Sequence, residues 1–384
     1  MPLPKHAQTL VKAASHAAVL ASACLMLSGC GEPVNSPRDL AEYSTNTLFS
    51  SFSGRSPKTL DPQASYSSDE TLYTYSIYEP PYGYHYLKRP YELQARAAAE
   101  VVEPVYVDGD GRVLPPDAPA SRIDRSIYRI PIKRGVRFAP HPCFARDASG
   151  AYLYHDLDAE LASTVSNPME LPEKGTRELV AEDFVYGIKR IASPRVVSPV
   201  LGVLAEHMPG LKALNAELAA RDKALRAQDG EKAWLDLRTS PLEGVRALVS
   251  HTLEITIRGK YPQFGNWLAM AFFAPVPWEA ERFYANGALA RNNVTLASWP
   301  VGTGPYMLVE SRQNREHVMR RNPNFRFEPY PCEGEPSDRA AGHLEDCGKP
   351  IPFIDRIVMT LEKEAVPTTV KVLQGYYDSP QITR

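Results

Sequence analysis

No charge of one sign dominates this sequence: 43 Lys and Arg stand against 45 Asp and Glu, a formal net charge of −2. Without a basic stripe the chain does not fit a nucleic-acid partner. The short motifs of catalysis are missing too. There is no Gly-x-Ser-x-Gly elbow, no His-Glu-x-x-His, no Walker loop and no Gly-x-Gly-x-x-Gly after a strand. Asp61, Glu70 and Glu79 lie close together, but nothing marks two of them as a general acid and base. The chain is therefore expected to be no enzyme and to need no cofactor. Metal sites fare no better. Asp108-Gly109-Asp110-Gly111 opens like a calcium loop, yet Pro119 stands where the bidentate Glu would have to be, so a turn is expected. His141-Pro142-Cys143 offers two soft ligands without a partner pair nearby and reads as a surface loop. No internal repeat is present.

Long apolar runs are absent as well. The longest, residues 13–29, follows Lys5, His6 and Lys12 and is rich in Ala, Leu, Val and Ser. It is too short and too small-residue-rich for a transmembrane helix. It closes on Leu27-Ser28-Gly29-Cys30, in which Ser28-Gly29 gives a peptidase access and Cys30 presents a thiol for a thioether-linked lipid. Two acyl chains on that thiol are what stable anchoring requires. The expectation is a leader over 1–29, lipidation at Cys30 and a Ser/Pro/Asn-rich tether over 30–46. That places the mature chain outside the cytoplasmic membrane, in the periplasm where the cell has one.

Cysteine is scarce, five in all. With Cys24 in the leader and Cys30 lipidated, three are left for a fold that matures in an oxidising compartment. Cys332 and Cys347 bracket a polar loop and are expected to pair. His343 between them leaves a Cys/His metal site as the alternative, although a fourth ligand is missing. Cys143 is left over.

Proline and tyrosine are plentiful: 35 prolines, against an average of about 5%, and 20 tyrosines. Strand and helix patterns interleave, which predicts a mixed α/β class. Leu48-Phe49 opens a strand. Residues 69–78 form a helix with Leu72, Tyr75 and Ile77-Tyr78 on its apolar side. Residues 126–138 alternate as a strand pair broken at Arg134-Gly135. Phe184–Ile191 is amphipathic and stops at Ser193-Pro194, with Asp183 placed to cap it. A longer helix is expected over 211–235, a clear strand over 252–257, a helix over 266–273 and further strands over 316–320 and 354–361. Residues 108–125 and 140–175, dense in Pro, Gly and Asp, read as surface insertions.

Eight segments in order resemble one family. They are Thr59-Leu60-Asp61-Pro62, Ile77-Tyr78-Glu79, Tyr128 to Phe138, Ala181 to Tyr186 with Lys189-Arg190, Val301-Gly302-Thr303-Gly304-Pro305-Tyr306, Arg321-Asn322-Pro323, Pro352 to Ile357, and Leu373 to Asp378. Together they resemble the family 5 extracellular solute-binding proteins of ABC importers, which include dipeptide, oligopeptide and nickel binders. The resemblance implies a periplasmic-binding-protein-like α/β fold (type II, cluster C) whose two lobes close over a ligand. It implies lobe I in 47–84 and 278–384, an insert domain in 85–277, and a second ligand lobe that is missing because the chain stops at Arg384; a fragment is therefore expected.

The resemblance also implies ligand contacts. Tyr66, Ser67 and Ser68 would offer backbone and side-chain groups, Val200 stands where a relative has a tyrosine, and Gln381 and Ile382 would run along the cleft. Tyr306 supplies an aromatic wall beside Gly302 and Gly304, a turn equally readable as plain structure. The implied partners are a peptide or other small solute, the permease and ATPase subunits of an importer, and the membrane through the lipid. The alternative is a scaffold or sensory lipoprotein that has lost ligand capture.

Overall fold

The computed structural model of the protein describes residues 45–230 and 233–380, together with residue 37. The leader, Cys30, most of the tether, Gln381 and Ile382 lie outside the described residues.

In chain order the strands are β1 (Thr47–Ser53), β2 (Tyr82–Tyr84), β3 (Leu93–Ala95), β4 (Val105–Val107), β5 (Val113–Leu114), β6 (Arg125–Pro131), β7 (Val245–Val249), β8 (Thr252–Arg258), β9 (Tyr306–Arg312), β10 (Glu316–Arg321), β11 (Glu328–Pro329), β12 (Pro350–Ile351), β13 (Arg356–Glu362) and β14 (Ser379–Pro380). Two five-stranded sheets organise them. The first has the order β14-β1-β13-β10-β9, with β1 parallel to both neighbours and the remaining pairs antiparallel. The second, β5-β4-β6-β8-β7, is antiparallel throughout.

The alternation in β8 explains its place. Leu253, Ile255 and Ile257 are fully buried on one face, and helix Ala181–Ile191 packs on β7 and β8. In β1 alternation fails: Ser50, Ser51 and Phe52 are all buried, as expected for a strand between two others with both faces covered. One hydrophobic core runs through both regions, from Phe52, Met319 and Met359 to Tyr128, Ile130 and Ile255.

Several expectations are corrected. Residues 126–138 are not a strand pair: only 125–131 is strand, Gly135 turns the chain at φ +74°, and Arg137 makes a single bridge to Glu178. Helix Ser68–Ile77 buries Glu70, Tyr73, Thr74 and Ile77, while Leu72 and Tyr75 face outward. The helix expected over 266–273 is two short turns, Phe264–Trp267 and Ala271–Phe273, and the long helix ends at Asp229. Segment 140–175 is no surface insertion, because Cys143, Phe144, Leu157, Ala162 and Val165 join the core. His141 is buried with them, its Nδ1 accepting the Cys143 N–H at 3.1 Å and its Nε2 3.0 Å from the Tyr284 hydroxyl. Asp108 does hold a turn, its Oδ1 accepting the N–H groups of Asp110 and Arg112. Cys332 and Cys347 are joined by a disulfide, and Cys143 is free and buried.

Candidate ligand-binding face

The loop from Thr59 to Ser67 is built before it could meet any ligand. Asp61 accepts the Gln63 N–H at 3.1 Å and takes both arms of Arg190 at 2.8 and 2.6 Å. Arg190, itself 2% exposed, also pairs with Glu281 and donates to the Gln63 side chain. Burial alone would lower the guanidinium pKa, but Asp61 and Glu281 outweigh it and drive it up, so the charge is fixed. The Gln63 amide in turn donates to the carbonyls of Phe272 and Ala274.

Glu70 closes the other side. Its carboxylate accepts the N–H groups of Thr59, Tyr66 and Ser67 at 3.1, 3.0 and 3.2 Å, and the Ser65 hydroxyl at 2.9 Å. In sequence Glu70 is only a carboxylate without an acid–base partner; its buried position is what makes it the organiser of this loop. The amide donors of Tyr66 and Ser67 are thus engaged internally, and Ser67 serves as the N-cap residue of helix Ser68–Ile77. What faces outward is the Tyr66 ring, 70% exposed and stacked on Phe272 at 6.3 Å, with Ser68 beside it.

The other expected contacts sit deeper. Val200 is 5% exposed and belongs to the core at the start of helix Leu201–His207. Tyr306 is buried on β9 and donates its hydroxyl to the Ile354 carbonyl at 3.0 Å. The glycines before it have a packing reason: a Cβ on Gly302 would stand 2.0 Å from the Ile77 carbonyl oxygen, and the Gly304 N–H donates to that same oxygen at 2.8 Å. This junction locks the start of β9 onto the end of helix Ser68–Ile77. None of Tyr66, Ser67, Ser68, Val200 and Tyr306 lines the cleft of about 960 Å³ that opens at the opposite end of that helix.

A sequence profile for bacterial extracellular solute-binding proteins, family 5 Middle, matches residues 175–383. The chain belongs to that family. That family is one of solute-binding proteins rather than of enzymes. The periplasmic oligopeptide-binding protein OppA of Escherichia coli K12 is 30% identical over 207 residues, which is 50% of this chain and 33% of that protein. The probable deoxycholate-binding periplasmic protein YgiS of the same organism is 25% identical over 243 residues, 62% of this chain and 35% of the relative. Among solved structures, Listeria monocytogenes OppA bound to peptide shares the fold with a TM-score of 0.51 at 13% identity, covering 87% of this chain and 46% of that one. The family 5 chain thus spans about a third of the length of these curated relatives and under half of the solved one. No helix among its described residues is long and apolar enough to cross a membrane.

Proposed function

We propose that this chain is the first-lobe part of a lipid-anchored, extracytoplasmic receptor that captures peptides and delivers them to an ABC importer. The match of the family profile across residues 175–383 carries this reading. The E. coli relative named for oligopeptides and the peptide-bound Listeria structure favour peptide as the solute. In this reading 47–84 and 278–384 form lobe I around the first sheet, and 85–277 is the insert around the second. Cys30 holds the lipid, and a second lobe closes on the face that carries Tyr66 and Ser68. The family resemblance adds Gln381 and Ile382 as contacts, where main-chain hydrogen bonds would bind a peptide irrespective of its side chains. Val200 and Tyr306 contribute by packing that keeps the face in shape. Closure is a population shift: contacts to both lobes favour the closed state, which permease and ATPase subunits then read.

The test uses the full-length mature protein purified from its own cells. Denaturation should release a mixture of short peptides detectable by mass spectrometry, and Tyr66→Ala should weaken rebinding by about tenfold, as loss of an exposed aromatic contact would. Protein that releases no peptide and binds none from a defined mixture would reject the peptide reading. Cys30→Ala should move the protein from the membrane pellet to the supernatant; retention in the pellet would reject the lipid anchor.

A further inference from the structure

Helix Ser68–Ile77 separates two different surfaces. Tyr66 and Ser68 stand at its N-terminal end, whereas Tyr75, Ser76 and Tyr78 at its C-terminal end border the 960 Å³ cleft; the ten-residue helix between them is about 15 Å long. The walls of that cleft are aromatic and apolar: Tyr75, Tyr84, Tyr86, Trp267, Met270 and Pro305. Two of their polar tips are used within the protein: the Tyr84 hydroxyl donates to Asn266 and the Trp267 Nε1–H to Tyr261. At Tyr84 and Trp267 the cleft is therefore offered ring faces.

A second cleft of about 690 Å³ adjoins it, sharing Tyr86, Arg96, Glu328, Ile351 and Pro352. Tyr330 packs edge-on against Tyr86 and tilted against Phe353, and the disulfide-closed loop supplies Cys332. The neck between the clefts is charged. Arg96 pairs with Glu328, Glu328 with the Nη2 arm of Arg326, and the Nη1 arm of Arg326 with both carboxylate oxygens of Glu79. The Arg96 side chain lies across Gly83, where any Cβ would be 2.8 Å from its Nε. Lys133 completes the neck. Its ammonium donates to the Arg96 carbonyl at 2.7 Å and, among the described residues, has no ion pair with a carboxylate. Three cations thus meet two carboxylates there. Burial, with Arg326 and Arg96 close by, lowers the Lys133 pKa. Glu333 on the rim is mostly exposed and already bound to Lys88, so solvent screens it.

We propose that the joined clefts form a ligand site, separate from the Tyr66 face, for an amphipathic organic acid. Its ring body lies between Tyr75, Tyr84, Tyr86 and Trp267, and its carboxylate sits on Lys133 beside Arg96. An apolar cleft of this size with a few convergent polar groups is the usual form of a small-molecule site. A carboxylate supplies the one ion pair that Lys133 lacks, in a setting where charge-assisted hydrogen bonds are strong.

Calorimetric titration of the full-length mature protein with 2-naphthoate and its neutral analogue naphthalene-2-carboxamide tests this. The acid should bind about tenfold tighter than the amide. Lys133→Met should erase that preference with amide binding retained, Lys133→Arg should keep it, and Tyr86→Ala should weaken both ligands. Tyr66→Ala should change neither, which separates this site from the peptide face whether or not peptides bind there. Equal binding of acid and amide, no binding of either, or a preference that survives Lys133→Met in protein with an unchanged melting temperature would overturn the proposal.

Discussion

The two five-stranded sheets are assembled in opposite ways. In the second, each strand pairs antiparallel with its neighbours, and its charged pairs reach out to solvent: Arg129 and Arg246, both largely exposed, flank the buried Glu254. In the first, the inner strand β1 is parallel to β13 and β14, so it cannot be completed until the chain returns. The Phe49 N–H is accepted by Asp378, 329 residues later. Its histidine, His317, is buried while Arg312, Arg320 and Arg321 on β9 and β10 stay exposed, and the loop that follows β1 is tied by a buried pair, Asp61 to Arg190 on the helix covering the second sheet. Closing distant segments needs specific buried pairs, because a long loop has no local contact to hold its register. In the local antiparallel sheet the guanidinium groups of the pairs stay in solvent.

That contrast can be broken most sharply at Arg190. Arg190→Ala leaves Asp61 and Glu281 buried without their cation and should destabilise the fold by about 3–5 kcal/mol in urea unfolding. Next comes the disulfide loop, whose cysteines are 15 residues apart; the Cys332→Ala/Cys347→Ala double variant should lose up to about 3 kcal/mol. A loss as large as that at Arg190 would mean that the loop holds more than itself.

Acid should act on the first sheet. His317 on β10 is 2% exposed between the hydroxyls of Ser56 and Ser311, and burial lowers its pKa to about 4. The unfolded imidazole takes its proton near its ordinary pKa of about 6.5, so this contribution is fully present above that pH. It is lost as pH falls from about 6.5 towards 4, by roughly 3 kcal/mol in all. Stability curves of His317→Asn should be flatter across that window, and parallel curves would remove His317 from the account.

Smaller effects separate packing from backbone. Gly302→Ala forces a Cβ into the Ile77 carbonyl and should cost about 1–3 kcal/mol. Gly111→Ala, in open space at φ +82°, should cost about 1 kcal/mol from conformation alone. Smallest of all, Arg129→Ala on the second sheet should cost less than about 1 kcal/mol, since its guanidinium is mostly solvated.

Periodic elements were readable in the sequence. The alternation of 252–257 appears as β8, and the amphipathic stretch ending at Ser193-Pro194 appears as helix Ala181–Ile191. Segment 140–175 misled because its buried residues follow no period; they sit on short turns capped by His141, Asp158 and Asn167, which look like loop composition. Helix Ser68–Ile77 misled for a different reason. Glu70 and Thr74 turn inward, and no hydropathy pattern predicts that a carboxylate goes inside because four donors of the preceding loop await it.

The sequence by itself determined the α/β class, the family through ordered segments, and those strands and helices whose apolar spacing matches a backbone period. These are local properties, set by side-chain spacing along the chain. Only the tertiary structure decided that Asp61 belongs to Arg190, that Gly302 is small because Ile77 lies against it, and that tyrosines from 75 to 86 share one cleft with Trp267 and Lys133 across its neck. Those pairings join residues far apart in the chain, and they exist only where the first sheet's return closes the core around them.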